Sequence, residues 1–266
     1  TVTFTNPGQY NVSLTVNGVH SKNMNAGISI LPHKNAPFTL SEGGDFESGA
    51  ILFSSEAIEG SVNVWEYGTS SYVLSTQGKA WKSKLNGDIP QVTSKSALYS
   101  PAFDFTGYQN YTLYFDLGME VAYCNAPFAV QMQYSVNNGI TWSRLGSSPS
   151  FYNAGAGAGC KIASQIFSDT TGWTLNTHYA NKSLDLSFLA GNSSVIFRFV
   201  AGISGIFNGG YNIDGVLIDN FRIEAYNPNP LPLIVSSLKA YPKHHVNVLE
   251  WESFLPDDIS GYKVLR

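Results

Sequence analysis

Apolar and polar residues alternate along many short stretches of the chain, and this period of two predicts β-strands rather than helices. Near the start, Tyr10-Asn-Val-Ser-Leu-Thr-Val16 follows a Pro7-Gly8 turn and places Tyr10, Val12, Leu14 and Val16 on one face, with a further strand at Gly27–Leu31. The same pattern predicts strands at 62–67, 79–83, 97–105, 111–121, 128–136, 141–145, 182–188, 194–201 and 216–225, each bounded by Gly, Asn, Ser or Pro. No helix longer than a turn or two is expected. Phe128-Ala-Val-Gln-Met-Gln-Tyr-Ser-Val136 leads into Asn137-Asn138-Gly139, residues that tolerate positive φ, so this stretch is expected to form a hairpin. Trp142 then has the bulk to anchor the returning strand in a core. Trp65, Trp81 and Trp251 are assigned to cores as well.

Ten or so short strands between 38 and 226 argue for two packed antiparallel sheets, a jelly-roll-like β-sandwich. Residues 32–37, with two prolines and His33, read as a linker, and Asn227-Pro-Asn-Pro-Leu-Pro232 opens a semi-rigid spacer over 227–235. Residues 1–31 supply strands for part of one immunoglobulin-like sandwich. Residues 236–266, with runs at 236–241, 246–251 and 261–266, supply strands for part of another. The expected class is therefore all-β, a jelly roll flanked by partial immunoglobulin-like domains. The strand pattern is already under way at Thr1 and still running at Arg266, which gives the expectation of a piece of a longer protein.

Composition sharpens this picture in a few places. Of the 266 residues 13% are charged and 14% aromatic, with 25 Gly and 12 Pro, a profile suited to many turns and large rings between sheets. The formal charge of −4 gives no reason to expect nucleic acid or an anionic membrane, which call for basic patches. No apolar run approaches the roughly 18–20 residues of a membrane span. The two cysteines, Cys124 and Cys160, lie among Ala, Gly and Asn. A disulfide between them would contribute roughly 3–4 kcal/mol by restricting the unfolded chain and would suit an exported protein; a pair of free buried thiols is the alternative.

Three stretches resemble known families. Thr3-Phe-Thr-Asn-Pro-Gly-Gln-Tyr-Asn-Val-Ser-Leu-Thr-Val16 resembles the end of a polycystic-kidney-disease-type (PKD) domain. In the middle, Asp45-Phe-Glu-Ser-Gly49, Val64-Trp-Glu-Tyr-Gly68, Leu98-Tyr-Ser-Pro-Ala-Phe-Asp104, Val130–Trp142, Leu186-Ser-Phe-Leu-Ala-Gly191, Phe197-Arg-Phe199 and Gly215-Val-Leu-Ile-Asp-Asn-Phe221 follow one another. Together they resemble the MAM-like and cleaved-adhesin-like jelly rolls of large exported Bacteroidota-type proteins, cytophagalysin-type secreted metalloproteases among them. Val246-Asn-Val-Leu-Glu-Trp251 and Gly261-Tyr-Lys-Val-Leu-Arg266 resemble the opening strands of a fibronectin type III domain. The resemblance implies a secreted or cell-surface bacterial setting, with neighbouring domains of the same chain as partners. It also implies a structural calcium ion where first and last strands of the jelly roll meet, held by Glu47 and Asp219, with Asp45 and Asp116 as additions. Carboxylates and carbonyls form the hard oxygen set that calcium accepts. Alternatively Asp219-Asn220 serves backbone groups beside the core, and Asp45 and Glu47 are solvated.

Candidate chemistry is sparse elsewhere. Ser135-x-Asn-x-Gly-x-Thr-Trp142 fits the Asp-box pattern with Asn137 in place of Asp; its single copy is a hairpin device rather than a sialidase propeller. There is no Gly-x-Ser-x-Gly elbow, His-Glu-x-x-His helix, phosphate loop or Cys/His cluster. The pairs Glu56/Glu59 and Asp257/Asp258 have no visible cleft around them, and His33 and His244-His245 read as exposed. The expectation is no catalytic residue, hence no enzyme in this chain, although a longer parent could be a secreted protease or polysaccharide-degrading enzyme. Rings in Gly- and Asn-rich loops carry the remaining signal: Tyr123, Tyr152, Tyr179 and Tyr211, with Phe151, Trp173 and Phe207 beside them. Such rings can stack on sugars, and each could equally cap the core. The functional expectation is a binding or spacer region directed at an extracellular glycan or protein surface, either as an auxiliary portion of a hydrolase or as an adhesin exported by the type IX route.

Overall fold

The alternating stretches are strands in the computed structural model, which describes residues 4, 6–47, 52–69, 78–90, 92–120, 128–147, 149–153, 166–169, 171–174, 177–204, 214–227, 235–244 and 246–253. In chain order these are β1 (Gly8–Val16), β2 (His20–Ile30), β3 (His33–Asn35), β4 (Ser54–Glu59), β5 (Trp65–Thr69), β6 (Lys79–Ser83), β7 (Ser94–Asp104) and β8 (Asn110–Glu120). They continue with β9 (Phe128–Ser135), β10 (Ser143–Arg144), β11 (Thr177–Asp185), β12 (Val195–Ile203), β13 (Gly215–Tyr226), β14 (Val235–Lys243) and β15 (Val246–Ser253). The chain divides into two compact units, Thr1–Tyr226 and Asn227–Arg266. In the second, β14 and β15 pair as an antiparallel hairpin.

Within the first unit, β1 and β2 form a separate antiparallel pair. The remaining strands make a β-sandwich. One sheet runs β10-β9-β12-β7-β3, with β4 also on β7, and the other runs β11-β8-β13-β6-β5. From β6 onward the chain passes back and forth between the sheets, with the β9–β10 hairpin as the in-sheet step, which is the crossing pattern of a jelly roll.

Alternation decides which side chains fill the space between the sheets. Strand β8 sends Tyr111, Leu113, Phe115, Leu117 and Met119 inward, and β9 sends Phe128, Val130 and Met132. Strand β12 adds Phe197 and Phe199, and β13 adds Val216, Ile218, Phe221 and Ile223. Asp219 faces Asp116 across the ladder; the register then shifts, with Asn220 at φ 50°, and this bulge returns Phe221 to the interior. The ring of Phe221 lies 5.2 Å from Phe53 and 6.1 Å from Phe103, so it joins both sheets.

Several expectations shift against this frame. Residues 33–35, expected in a linker, pair parallel with β7 opposite Ala102–Asp104, and Phe38 exchanges two backbone hydrogen bonds with Ile223. Next to it Phe221 donates its N–H to the carbonyl of Gly44 at 2.8 Å, an approach so close that a Cβ on Gly44 would stand 2.0 Å from the Phe221 oxygen. Strand β4, Ser54-Ser-Glu-Ala-Ile-Glu59, was not expected because it carries no alternating apolar face. Trp65, Trp81 and Trp173 are in the core, whereas Trp142 is half-buried on the outside of the sheet. Cys124, Cys160, Asp257, Asp258, His245 and the strand expected at 261–266 lie outside the described residues, as does the side chain of Trp251.

Candidate functional site

Long polar side chains collect on the outer face of the β10-β9-β12-β7-β4 sheet, the face turned away from the core. The ladder registers place Ser54, Tyr99, Arg198, Gln133 and Arg144 in one row across five strands. Residues directly opposite in a ladder share a face, so Tyr99, Arg198, Gln133 and Arg144 meet. Arg198 donates from Nε to Gln133 Oε1 at 2.8 Å, and Gln133 Nε2 donates to Gln131 Oε1 at 2.7 Å. Gln131 Nε2 in turn donates to Asp169 Oδ1 and to the Thr171 carbonyl, each at 2.8 Å, and Arg144 Nη1 donates to Asp169 Oδ2 at 2.8 Å. Lys95 and Glu59 pair at 2.7 Å on the far side.

This row floors an open groove of about 400 Å³. One wall is the segment 166–169: Ile166 and Phe167 are buried on Ala97, Ala129 and Val200, and a Cβ on Gly202 would lie 2.2 Å from Ile166 Cγ2. Small residues on the sheet therefore seat the wall. Trp142 makes the other side. The Arg198 guanidinium carbon lies 4.0 Å from the centroid of its ring, a cation–π contact, and Tyr99 lies 5.7 Å away. Beyond Trp142 a second hollow of about 190 Å³ is lined by Ser29, Leu31, Glu56, Tyr99, Asn138 and Ile196. Burial, assisted by Glu56, pushes the Tyr99 phenol up to about 12, so it stays a neutral hydroxyl. Burial lowers the Arg198 guanidinium, opposed by Tyr99 and Glu56.

The hairpin from β9 to β10 aims Trp142. Ser135 Oγ donates to Asn137 Oδ1 at 2.9 Å and accepts the Gly139 N–H at 2.9 Å. Asn137 Oδ1 accepts the Thr141 N–H at 2.9 Å, and Asn137 Nδ2 donates to Thr141 Oγ1 at 2.8 Å. Asn138 at φ 57° and Gly139 at φ 80° complete the reversal. The box residues thus fix the turn that returns Trp142 over the sheet.

Of the four tyrosines expected to stack on sugars, Tyr152 is fully described, and it lies in the core. Tyr152 is 1% exposed. Its hydroxyl donates to the carbonyls of Leu145 at 2.5 Å and Met132 at 3.0 Å and accepts the Met132 N–H at 3.1 Å, so it is a core hub, a correction to its assignment as a ligand residue. Phe151 and Trp173 pack against it in the core, 5.0 and 4.5 Å away. Tyr123, Phe207 and Tyr211 lie outside the described residues; Tyr179 is on β11 with its side chain outside them. Trp142, expected in a core, is the ring the structure places at the groove. A usable signal was present in the sequence: Gln131 and Gln133 alternate with core residues, and Arg198 stands between Phe197 and Phe199.

Each of the four expected calcium ligands accepts a hydrogen bond within the protein, Asp219 Oδ1 from the Asn220 N–H at 2.7 Å. Glu47 Oε1 accepts the Lys79 N–H at the start of β6, and Asp219 is buried on the adjacent strand β13, one step beyond the Ile218–Trp81 pair. Asp116 spends its two oxygens on the amides of Asn181 and Asn220, at 3.0 and 2.8 Å, and Asp45 Oδ1 accepts the Glu47 N–H at 3.1 Å. No group of three or more His, Cys, Asp or Glu suited to a metal forms among the described residues. Glu47, in the loop before β4, and Asp219, on β13, fit an oxygen site only with backbone carbonyls completing it.

No family profile and no curated protein sequence matches the chain. Among solved structures it is similar to the K1 cleaved adhesin domain of Lys-gingipain from Porphyromonas gingivalis, at 15% identity and TM-score 0.39 over 68% of this chain and 96% of that one. It is also similar to SGBP-B from a complex xyloglucan utilization locus in Bacteroides uniformis, at 14% identity and TM-score 0.39 over 82% of this chain and 56% of that one. A third is the family 11 carbohydrate-binding module of a cellulosomal cellulase from Clostridium thermocellum, at 11% identity and TM-score 0.37 over 70% and 94%. Likeness at this level says nothing of what this chain binds. No helix among the described residues is long and apolar enough to cross a membrane.

Proposed function

We propose that the chain is a non-catalytic binding region whose sandwich takes a glycan on the outer face of the β10-β9-β12-β7-β4 sheet. The observation that carries this reading is the groove itself: one half-buried indole beside a row of planar amide and guanidinium groups. Sugars present apolar C–H faces and hydroxyls that both donate and accept, and such a lining supplies a partner for each. The two carboxylates in the groove, Glu59 and Asp169, are ion-paired to Lys95 and Arg144, an arrangement suited to holding a ligand rather than to exchanging protons with one. The resemblance of the sequence motifs supports an exported or cell-surface bacterial setting, with 1–31 and 236–266 as PKD-type and fibronectin-type neighbours of a jelly roll at 38–226. It also supports a calcium ion at Glu47 and Asp219, which would tie the start of the sandwich to its last strand.

The test is affinity electrophoresis of the purified protein in gels cast with soluble polysaccharides. Retardation is expected, and Trp142→Ala is expected to abolish it while the melting curve changes little, because the ring lies outside the core. Free migration in every polysaccharide, or retardation that survives the substitution, counts against the site. Capture of a surface protein through Trp142 without any glycan binding would replace this reading with protein recognition.

A further inference from the structure

Resting on the glycan reading, we infer that the ligand is an internal stretch of an uncharged polysaccharide, laid over Trp142 from one hollow to the other, rather than an anionic glycan or a single terminal sugar.

Charge argues for the first part. Lys95 and Arg144 are held in direct salt bridges by Glu59 and Asp169, and Arg198 is half-buried with its Nε on Gln133 and its guanidinium against the Trp142 ring. A uronate or sulfate brought to Lys95 or Arg144 meets a cation that already holds a carboxylate. It would have to displace a carboxylate from a made ion pair, regaining only what it broke and losing its own hydration. A neutral hydroxyl, by contrast, bonds to the outward edges of the amides and guanidinium groups without disturbing the pairs.

Shape argues for the second part. Among the described residues Trp142 is the ring that lines both hollows: the larger lies over β4, β7, β12, β9 and β10 on the side of Lys95 and Val200, and the smaller lies toward Ser29, Leu31 and Ile196. Both are open, so a ligand can leave at each end, whereas a site for a terminal sugar is closed at one. From one hollow to the other the lining moves along the strands, from Lys95 to Tyr99 on β7 and from Val200 to Ile196 on β12, about 13 Å at ~3.3 Å per residue, room for more than one pyranose ring. The indole then sits part-way along the track as its apolar support, with hydrogen-bonding groups to either side.

The experiment compares uncharged probes (hydroxyethylcellulose, mixed-linkage glucan, xylan, galactomannan) with anionic ones (polygalacturonate, heparin). Calorimetry follows with oligosaccharides of increasing length cut from the best uncharged polymer. Retention by an uncharged polymer is expected, with affinity unchanged between about 0.05 and about 0.5 M salt because no net charge is neutralised. Affinity should rise by about tenfold or more from disaccharide to pentasaccharide as subsites on both sides of Trp142 fill. Ser29→Trp, an exposed position that closes the smaller hollow, should cancel the gain from the added units and leave short ligands and the melting point unaffected. Preference for an anionic polymer with loss of binding in salt, equal affinity at every length, or indifference to Ser29→Trp overturns this inference and leaves glycan binding intact. No retention on any polymer overturns glycan binding, and this inference with it.

Discussion

Tyr152 and Trp142 exchanged the roles their surroundings in the sequence suggested. Tyr152 precedes a run of Asn, Ala and Gly, the setting of an exposed loop ring, yet its hydroxyl is the partner of three backbone groups from two other segments. That requirement is long-range: Met132 and Leu145 need a partner in the interior, and nothing near 152 in the chain shows it. Tyr152→Phe is expected to keep the ring packing and cost about 1–3 kcal/mol by leaving those groups short of a partner. Denaturant unfolding measures this, and glycan binding should be unchanged; a loss of binding at unaltered stability would return Tyr152 to the site. Trp142 went the other way because the register of β10 on β9 sets the side from which it leaves the turn, and a one-residue offset in a strand reverses its face. Gln131, Gln133 and Arg198 were legible in principle, since their polar positions within apolar strands mark an outer face. That they lie side by side depends on β12 pairing with β9, a contact between segments far apart in sequence.

At the scale of elements, the strands with strong alternation were readable almost to the residue; Asn110–Glu120, expected at 111–121, is the plainest case. The short edge strands β3 and β4 were not, because they bury little and are held by pairing to β7 rather than by a core face of their own. The β9–β10 hairpin was readable as a turn, and its side-chain bonds show how few residues hold it. Asn137→Ala removes the acceptor for the Thr141 N–H and the donor to Thr141 Oγ1, an expected cost of about 1–2 kcal/mol. Because the same turn aims Trp142, glycan affinity should fall with it, while Asn137→Asp, which keeps the acceptor, should retain most of both. Thermal melts and calorimetry on the two variants check this; equal behaviour of the two variants would remove the hairpin from the account of binding.

For the whole molecule, the sandwich begins and ends at one place. Phe38 and Gly44 bond to Ile223 and Phe221 of β13, and Glu47 continues along the same edge to Lys79. The proposed calcium ion would reinforce this junction. If calcium binds only the folded protein and is supplied at about 100 times its dissociation constant, it stabilises by about 2.7 kcal/mol. That is about 5–10 °C in melting temperature for a unit of this size. Melting with calcium and with chelator should differ by that amount, and Glu47→Gln or Asp219→Asn should erase the difference; equal midpoints for the unaltered protein count against the ion. The same junction has a mechanical meaning for a protein that holds a polymer. Tension carried along the chain reaches the sandwich at β3, which pairs with β7, and at the end of β13, which pairs with β8, with the bonds of Phe38 and Gly44 to Ile223 and Phe221 between these two points. Under a pull, load would reach the gripping face directly through β7, and the clasp between 38–44 and 221–223 would limit how far the two ends separate.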